Sequence, residues 1–169
     1  NSMSYRNKVY VSFDGDSDIH YYRLMCAWKQ NDSNPFDFLN AHDLNQARDT
    51  SEEESIKARL RIRFQNSKVF VILIGEKTRY LYKFVRWEIE QAISRELPII
   101  GVNINGLRQQ DPERCPPTLK TELALYISFN AKVLQYALEN WPDTHLSLKG
   151  QNKTGPYYYK ESVYQTLGL

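Results

Sequence analysis

Glu88 stands where the pattern calls for an apolar residue. Wound at about 100° per residue, the stretch from Leu81 to Ile93 puts Leu81, Phe84, Val85, Ala92 and, nearer the edge, Ile89 on one face. Glu88 falls at the middle of that face, and Glu90 falls on the opposite side, toward water. A carboxylate among apolar neighbours is costly to ionise. Glu88 is therefore either paired internally, with Arg86, Arg48 or Arg95 as candidate cations, or it lines a site. Other chemistries lack their residues. There is no Walker loop, and no G-x-G-x-x-G follows the first strand, where Gly15 is the only glycine. His20, His42 and His145 lie in separate segments without ligand spacing, so no metal site is expected. Neither Ser12 nor Ser17 sits in a nucleophile elbow. A phosphoryl-accepting aspartate is missing where the third strand ends Leu73-Ile74-Gly75.

A chain of 169 residues with 41% hydrophobic content fits one soluble domain with a sizeable core. Twelve tyrosines are many for this size and suit a pocket or interface that is apolar yet able to hydrogen-bond. A net charge of +2 argues against a nucleic-acid binder. Lys57, Arg59, Arg61 and Arg63 spread around a helix as a solvated surface. Cys26 and Cys115 are too few for a disulfide scaffold. The reading is a cytoplasmic protein, with no apolar run of transmembrane length and a polar start. Asn1-Ser2 ahead of Met3 has the look of an expression scar, so residues 1–6 are set aside.

The elements that must position Glu88 alternate strand and helix. Lys8–Phe13 reads as a strand, Asp14–Asp18 as a turn-rich loop, and Asp18–Lys29 as a helix with Asp18 at its N-cap. Phe36–Leu39 is a short second strand, followed by a long polar loop over 40–49. A helix follows Thr50, whose spacing to Glu53 is that of a capping box. Its buried stripe is Ile56, Leu60 and Phe64. Lys68–Ile74 is an almost unbroken apolar run, the mark of a parallel strand covered on both faces. Pro98–Ile104 and Ala124–Phe129 give the fourth and fifth strands. Ala131–Asn140 reads as a helix stopped by Trp141-Pro142, and Tyr157–Leu167 as a last helix. This alternation predicts an α/β fold of three layers, with helices on both faces of a parallel sheet of about five strands in the flavodoxin-like order 2-1-3-4-5. Ligands of such sheets bind beyond the strand C-termini at the switch point between the first and third strands. Glu88 reaches that crevice if its helix starts late, near Lys83.

Val9–Asp14, the strand Val69–Ile74 and Phe84–Ile93 together resemble the TIR-like family, formerly a domain of unknown function, and within it the TIR-like proteins of the Thoeris anti-phage system. The resemblance covers roughly Asn7 to Trp141, and its most specific part is the helix. This divides the chain into a TIR-like domain over 7–141 and an extension over 142–169 packing on it. The resemblance implies an enzyme that takes NAD as substrate, needs no cofactor, and cleaves the nicotinamide–ribose bond. The product would be a cyclic ADP-ribose isomer or a related ADP-ribose signal to a separate effector; self-association of the protein is an open alternative. The family's catalytic glutamate lies four residues after an aromatic, a spacing met by Phe84 and Glu88. The usual aromatic is tryptophan; here Trp87 stands next to the glutamate instead. Phe13 is a candidate to stack on a base, Asp14 and Asp18 to bind ribose hydroxyls, Phe84 and Trp87 to meet substrate beside Glu88, and Asp43 and Arg48, in the long loop, to meet substrate as well, Arg48 through the pyrophosphate. The tyrosine-rich tail Tyr157–Tyr164 is a candidate cover for the site. Two other readings stay open: a non-catalytic interaction module, and an enzyme similar to the nucleoside deoxyribosyltransferases.

Overall fold

The computed structural model describes residues 8–30, 38–40 and 53–169. In chain order the elements are β1 (Val9–Ser12), α1 (Ile19–Gln30), β2 (Phe38–Asn40), α2 (Glu53–Gln65), β3 (Val69–Ile74), a 3-10 turn (Thr78–Tyr80), α3 (Val85–Ser94), β4 (Ile99–Asn103), β5 (Ala124–Ser128), α4 (Ala131–Gly150), β6 (Pro156–Tyr158) and α5 (Glu161–Thr166). The strands form one sheet in the order β2-β1-β3-β4-β5-β6, with every pair parallel. The expected 2-1-3-4-5 order is therefore present, extended by a sixth strand.

Burial on both faces explains the composition of the central strands. All six residues of β3 and all five of β4 are buried, so neither strand shows apolar–polar alternation. The two faces carry separate cores. Val9, Val11, Val69, Val71 and Leu73 pack under α1 and α4 with Tyr22, Met25, Leu134 and Trp141. Tyr10, Phe70 and Ile72 pack on the other face with Ile56, Leu60 and Phe64 of α2 and with Val85, Ile89 and Ala92 of α3. Successive β1 residues point to opposite faces, so Tyr10 and Ser12 share the side that carries α2 and α3.

Two expectations for the C-terminal third are corrected. The helix does not stop at Trp141-Pro142 but runs on to Gly150 with Pro142 inside it. Pro142 forfeits one intrahelical hydrogen bond. The turns beyond it continue to bury side chains, since Trp141, Pro142 and His145 are all buried and Leu148 packs on the same core. The segment after it is a strand and a short helix rather than one helix. β6 pairs with β5, and Tyr164 of α5 is fully buried. The tail thus closes the β5 edge, and its tyrosines lie away from the β1–β3 switch point.

Candidate active site

Glu88 owes its place to a late helix start. Leu81–Phe84 intervenes between the 3-10 turn and α3, Phe84 is the N-cap residue, and the Glu88 N–H closes onto the Phe84 carbonyl at 2.7 Å. The carboxyl lies in the first turn of α3, where the helix dipole favours a negative charge, and it is fully buried. The Tyr10 hydroxyl donates to its Oε2, and the Ser12 hydroxyl donates to its Oε1 at 2.8 Å. Among the described residues no cation pairs with it. Arg86 instead meets the exposed Glu90 at 3.6 Å, and Arg95 donates to Gln91. Arg48 lies outside the described residues. Of the cations considered for internal pairing, Arg86 and Arg95 are thus engaged elsewhere, and two hydroxyls from β1 take the carboxyl instead.

Burial dominates the electrostatics of this group. Loss of solvent raises the Glu88 carboxyl to about 7, against the lowering effect of its two hydroxyl donors. Tyr10 is raised well above its ordinary value by burial and by the neighbouring Glu88, so its phenol keeps its proton and continues to donate. Tyr10 is held flat by a stacked Phe64 ring at 3.9 Å.

At the C-terminal ends of β1 and β3 lies a cavity of about 400 Å³. Phe13, Asp14, Gly15 and Asp16 line it from the β1 loop, and the segment Tyr80 to Val85 lines it from the other side. This is the switch point expected of the topology. Glu88 does not line the cavity, although both of its flanks do: Phe13 follows Ser12, and Phe84 lies one helical turn before the glutamate. The helix does start late, the condition for Glu88 to reach the crevice, but the β1 hydroxyls hold the carboxyl below the crevice rather than in it.

The β1 loop is built by its own aspartates. Asp14 Oδ1 accepts from the N–H groups of Asp16 and Ser17 at 3.1 and 3.2 Å, an Asx turn that leads into α1. Asp18 takes the N-cap position through its carbonyl, which accepts from Tyr21 and Tyr22. Its side-chain Oδ2 is buried without a hydrogen-bond partner and faces Gly75, where an added Cβ would come within 2.2 Å of it. Burial first, and Asp14 second, raise the Asp18 carboxyl to about 6.

Of the residues expected at the site, Phe13, Asp14 and Phe84 line the cavity, while Asp18 and Glu88 stand just behind its wall. Asp43 and Arg48 lie outside the described residues. Trp87 is a correction. Its ring packs against α2, with Lys57 Nζ 5.4 Å and Arg61 Cζ 5.5 Å from its centre and Phe64 at 6.2 Å. One step along a helix turns it away from Glu88. Sequence reasoning missed Tyr10 and Ser12. Their signal was present as two hydroxyl side chains, two residues apart, on one face of an otherwise apolar strand.

The family model for the TIR-like domain of the Thoeris protein ThsB matches residues 10–109. The match runs from β1 to the loop after β4 and so contains the cavity, Tyr10, Ser12 and Glu88; β5 to α5 lie beyond it. With more than half of its length matched, and with a parallel sheet of the corresponding order, this chain belongs to the family of Thoeris ThsB TIR-like domains.

Proposed function

We propose that this member of the Thoeris family consumes NAD, cleaving its nicotinamide–ribose bond and returning a cyclic ADP-ribose isomer or a related ADP-ribose signal to a separate effector. The observation that carries the reading is Glu88: a buried carboxylate whose partners among the described residues are two hydroxyl groups, directly behind an aromatic and acidic cavity at the switch point. Ordinary glycosidases use two carboxyl groups, one of them to protonate the leaving group. Nicotinamide in NAD is a cationic pyridinium and leaves neutral, so no acid is needed. What remains is an oxocarbenium-like ribose, which one carboxylate stabilises strongly where water is excluded, until a hydroxyl or ring nitrogen of the adenosine half adds to it and gives up a proton. Two hydroxyls, from Tyr10 and Ser12, already occupy the oxygens of Glu88 that a ribose diol would take. In this reading the ribose enters past Phe13 and Phe84 and replaces them.

A second reading rests on the same residue. Glu88 is fully buried and does not line the cavity, as suits a structural acid in a non-catalytic interaction module. Incubating the protein with NAD and, separately, with deoxynucleosides, with products read by mass spectrometry, separates the alternatives. Nicotinamide and ADP-ribose species from NAD are expected. Base exchange on deoxynucleosides alone would identify a deoxyribosyltransferase, and inertness toward both would favour the module.

A further inference from the structure

Beside the first cavity lies a second, of about 450 Å³, lined by Asp14, Asp16, Ser17, Lys77, Tyr80 and Leu81. The two share Asp14, Asp16, Tyr80 and Leu81, so Tyr80 stands on the partition between them. This tyrosine is 60% exposed. It is also held in place. The 3-10 turn that carries it is fastened to the end of β3, where the Gly75 N–H donates to the buried Thr78 hydroxyl at 2.8 Å, and the Tyr80 N–H closes onto the Lys77 carbonyl at 3.0 Å. The Arg79 guanidinium lies over the ring, 5.6 Å from its centre, and is itself anchored by donating to the Glu113 carbonyl. An exposed ring braced by a fixed cation is a ready stacking surface for a planar heteroaromatic base.

We infer that Tyr80 divides a two-lobed cleft and stacks the second base of a dinucleotide, with Lys77 in the outer lobe facing the adjoining phosphate. The inference rests on the NAD reading and adds to it a residue that distinguishes dinucleotide from mononucleotide. The inner lobe, between Phe13 and Phe84, takes the nicotinamide ribose. The outer lobe takes the adenosine half, whose base has no other exposed ring lining that lobe among the described residues.

The test is calorimetric titration of the whole protein with ADP-ribose and with nicotinamide mononucleotide, which lacks the second base. The variants are Tyr80→Ala, Tyr80→Phe and Lys77→Ala. Stacking losses of this kind predict that Tyr80→Ala weakens ADP-ribose binding by about ten- to a hundredfold. Tyr80→Phe should retain ADP-ribose binding, Lys77→Ala should weaken it, and Tyr80→Ala should weaken nicotinamide mononucleotide far less than ADP-ribose. Unchanged ADP-ribose binding in Tyr80→Ala, an equal loss of both ligands, or no ADP-ribose binding by wild type would overturn the inference. NAD cleavage by wild type and Glu88→Gln, run alongside, separates the two claims. Cleavage that depends on Glu88, with ADP-ribose binding indifferent to Tyr80, removes only the stacking role. Tyr80-dependent binding, with cleavage absent or indifferent to Glu88, removes only the enzymatic reading.

Discussion

At Glu88, burial and hydrogen bonding pull in opposite directions, and burial wins. The carboxyl keeps its proton to about pH 7 in the fold, against an ordinary value of 4.5 for an exposed glutamate. Between these values the native state binds more protons than the unfolded chain, so this group lowers stability as pH rises from 4.5 to about 7 and adds no further slope above. The full effect is on the order of 3 kcal/mol. Glu88→Gln has nothing to titrate, so its stability relative to wild type should improve across that window; Asp18 titrates in both proteins and cancels. Guanidinium unfolding at pH 5 and pH 8 measures this, and an equal difference at both pH values would contradict it. Tyr10→Phe removes a donor that lowers the Glu88 titration, leaving Ser12 as its donor among the described residues. The midpoint of the pH–activity curve for NAD cleavage should therefore move to higher pH, and a midpoint that stays or falls would count against an ionised Glu88 as the working form.

At the scale of elements, the β1 loop and the end of β3 meet where Asp18 presses on Gly75. Gly75→Ala would set a methyl 2.2 Å from Asp18 Oδ2. Overpacking of this kind costs about 1–3 kcal/mol. The same change in an Asp18→Ala background should cost less, and a denaturant double-mutant cycle reads that coupling; strict additivity would refute the contact. This contact was not legible in the sequence, because Asp18 and Gly75 are joined only by the β1–β3 pairing. The strands themselves were legible. The apolar runs of β1, β3 and β4 are what two-sided burial demands, and the alternation with helices fixes a parallel sheet. The sixth strand was not, since Pro156–Tyr158 is short, has an exposed–intermediate–exposed pattern, and runs straight into helix-forming residues. Pro142 misled for a different reason: its local cost is outweighed by burial of Trp141 and His145 on either side. At the site, helical periodicity singled out Glu88, but its partners lie 78 and 76 residues earlier in the chain, beyond any local pattern.

Across the whole molecule, the candidate site and the C-terminal extension lie at different strands of one sheet. The cavity sits at β1–β3, while Tyr164 seals the β5 side, accepting from the Ser128 N–H at 3.3 Å under the Arg108 guanidinium at 4.1 Å. Tyr164→Ala should cost about 3–5 kcal/mol and lower the melting temperature while leaving the products formed from NAD unchanged below the transition; altered products would mean the tail reaches the site. Among the described residues no helix is long and apolar enough to cross a membrane. The proposed NAD cleavage depends on Glu88 acting as the catalytic carboxylate. Its most direct test is mass spectrometry of nicotinamide and ADP-ribose species in phage-challenged cells carrying wild-type protein or Glu88→Gln, with the variant's fold checked by circular dichroism. Wild type should release nicotinamide and form the signal, and the folded variant should form neither; equal product from both would contradict the assignment.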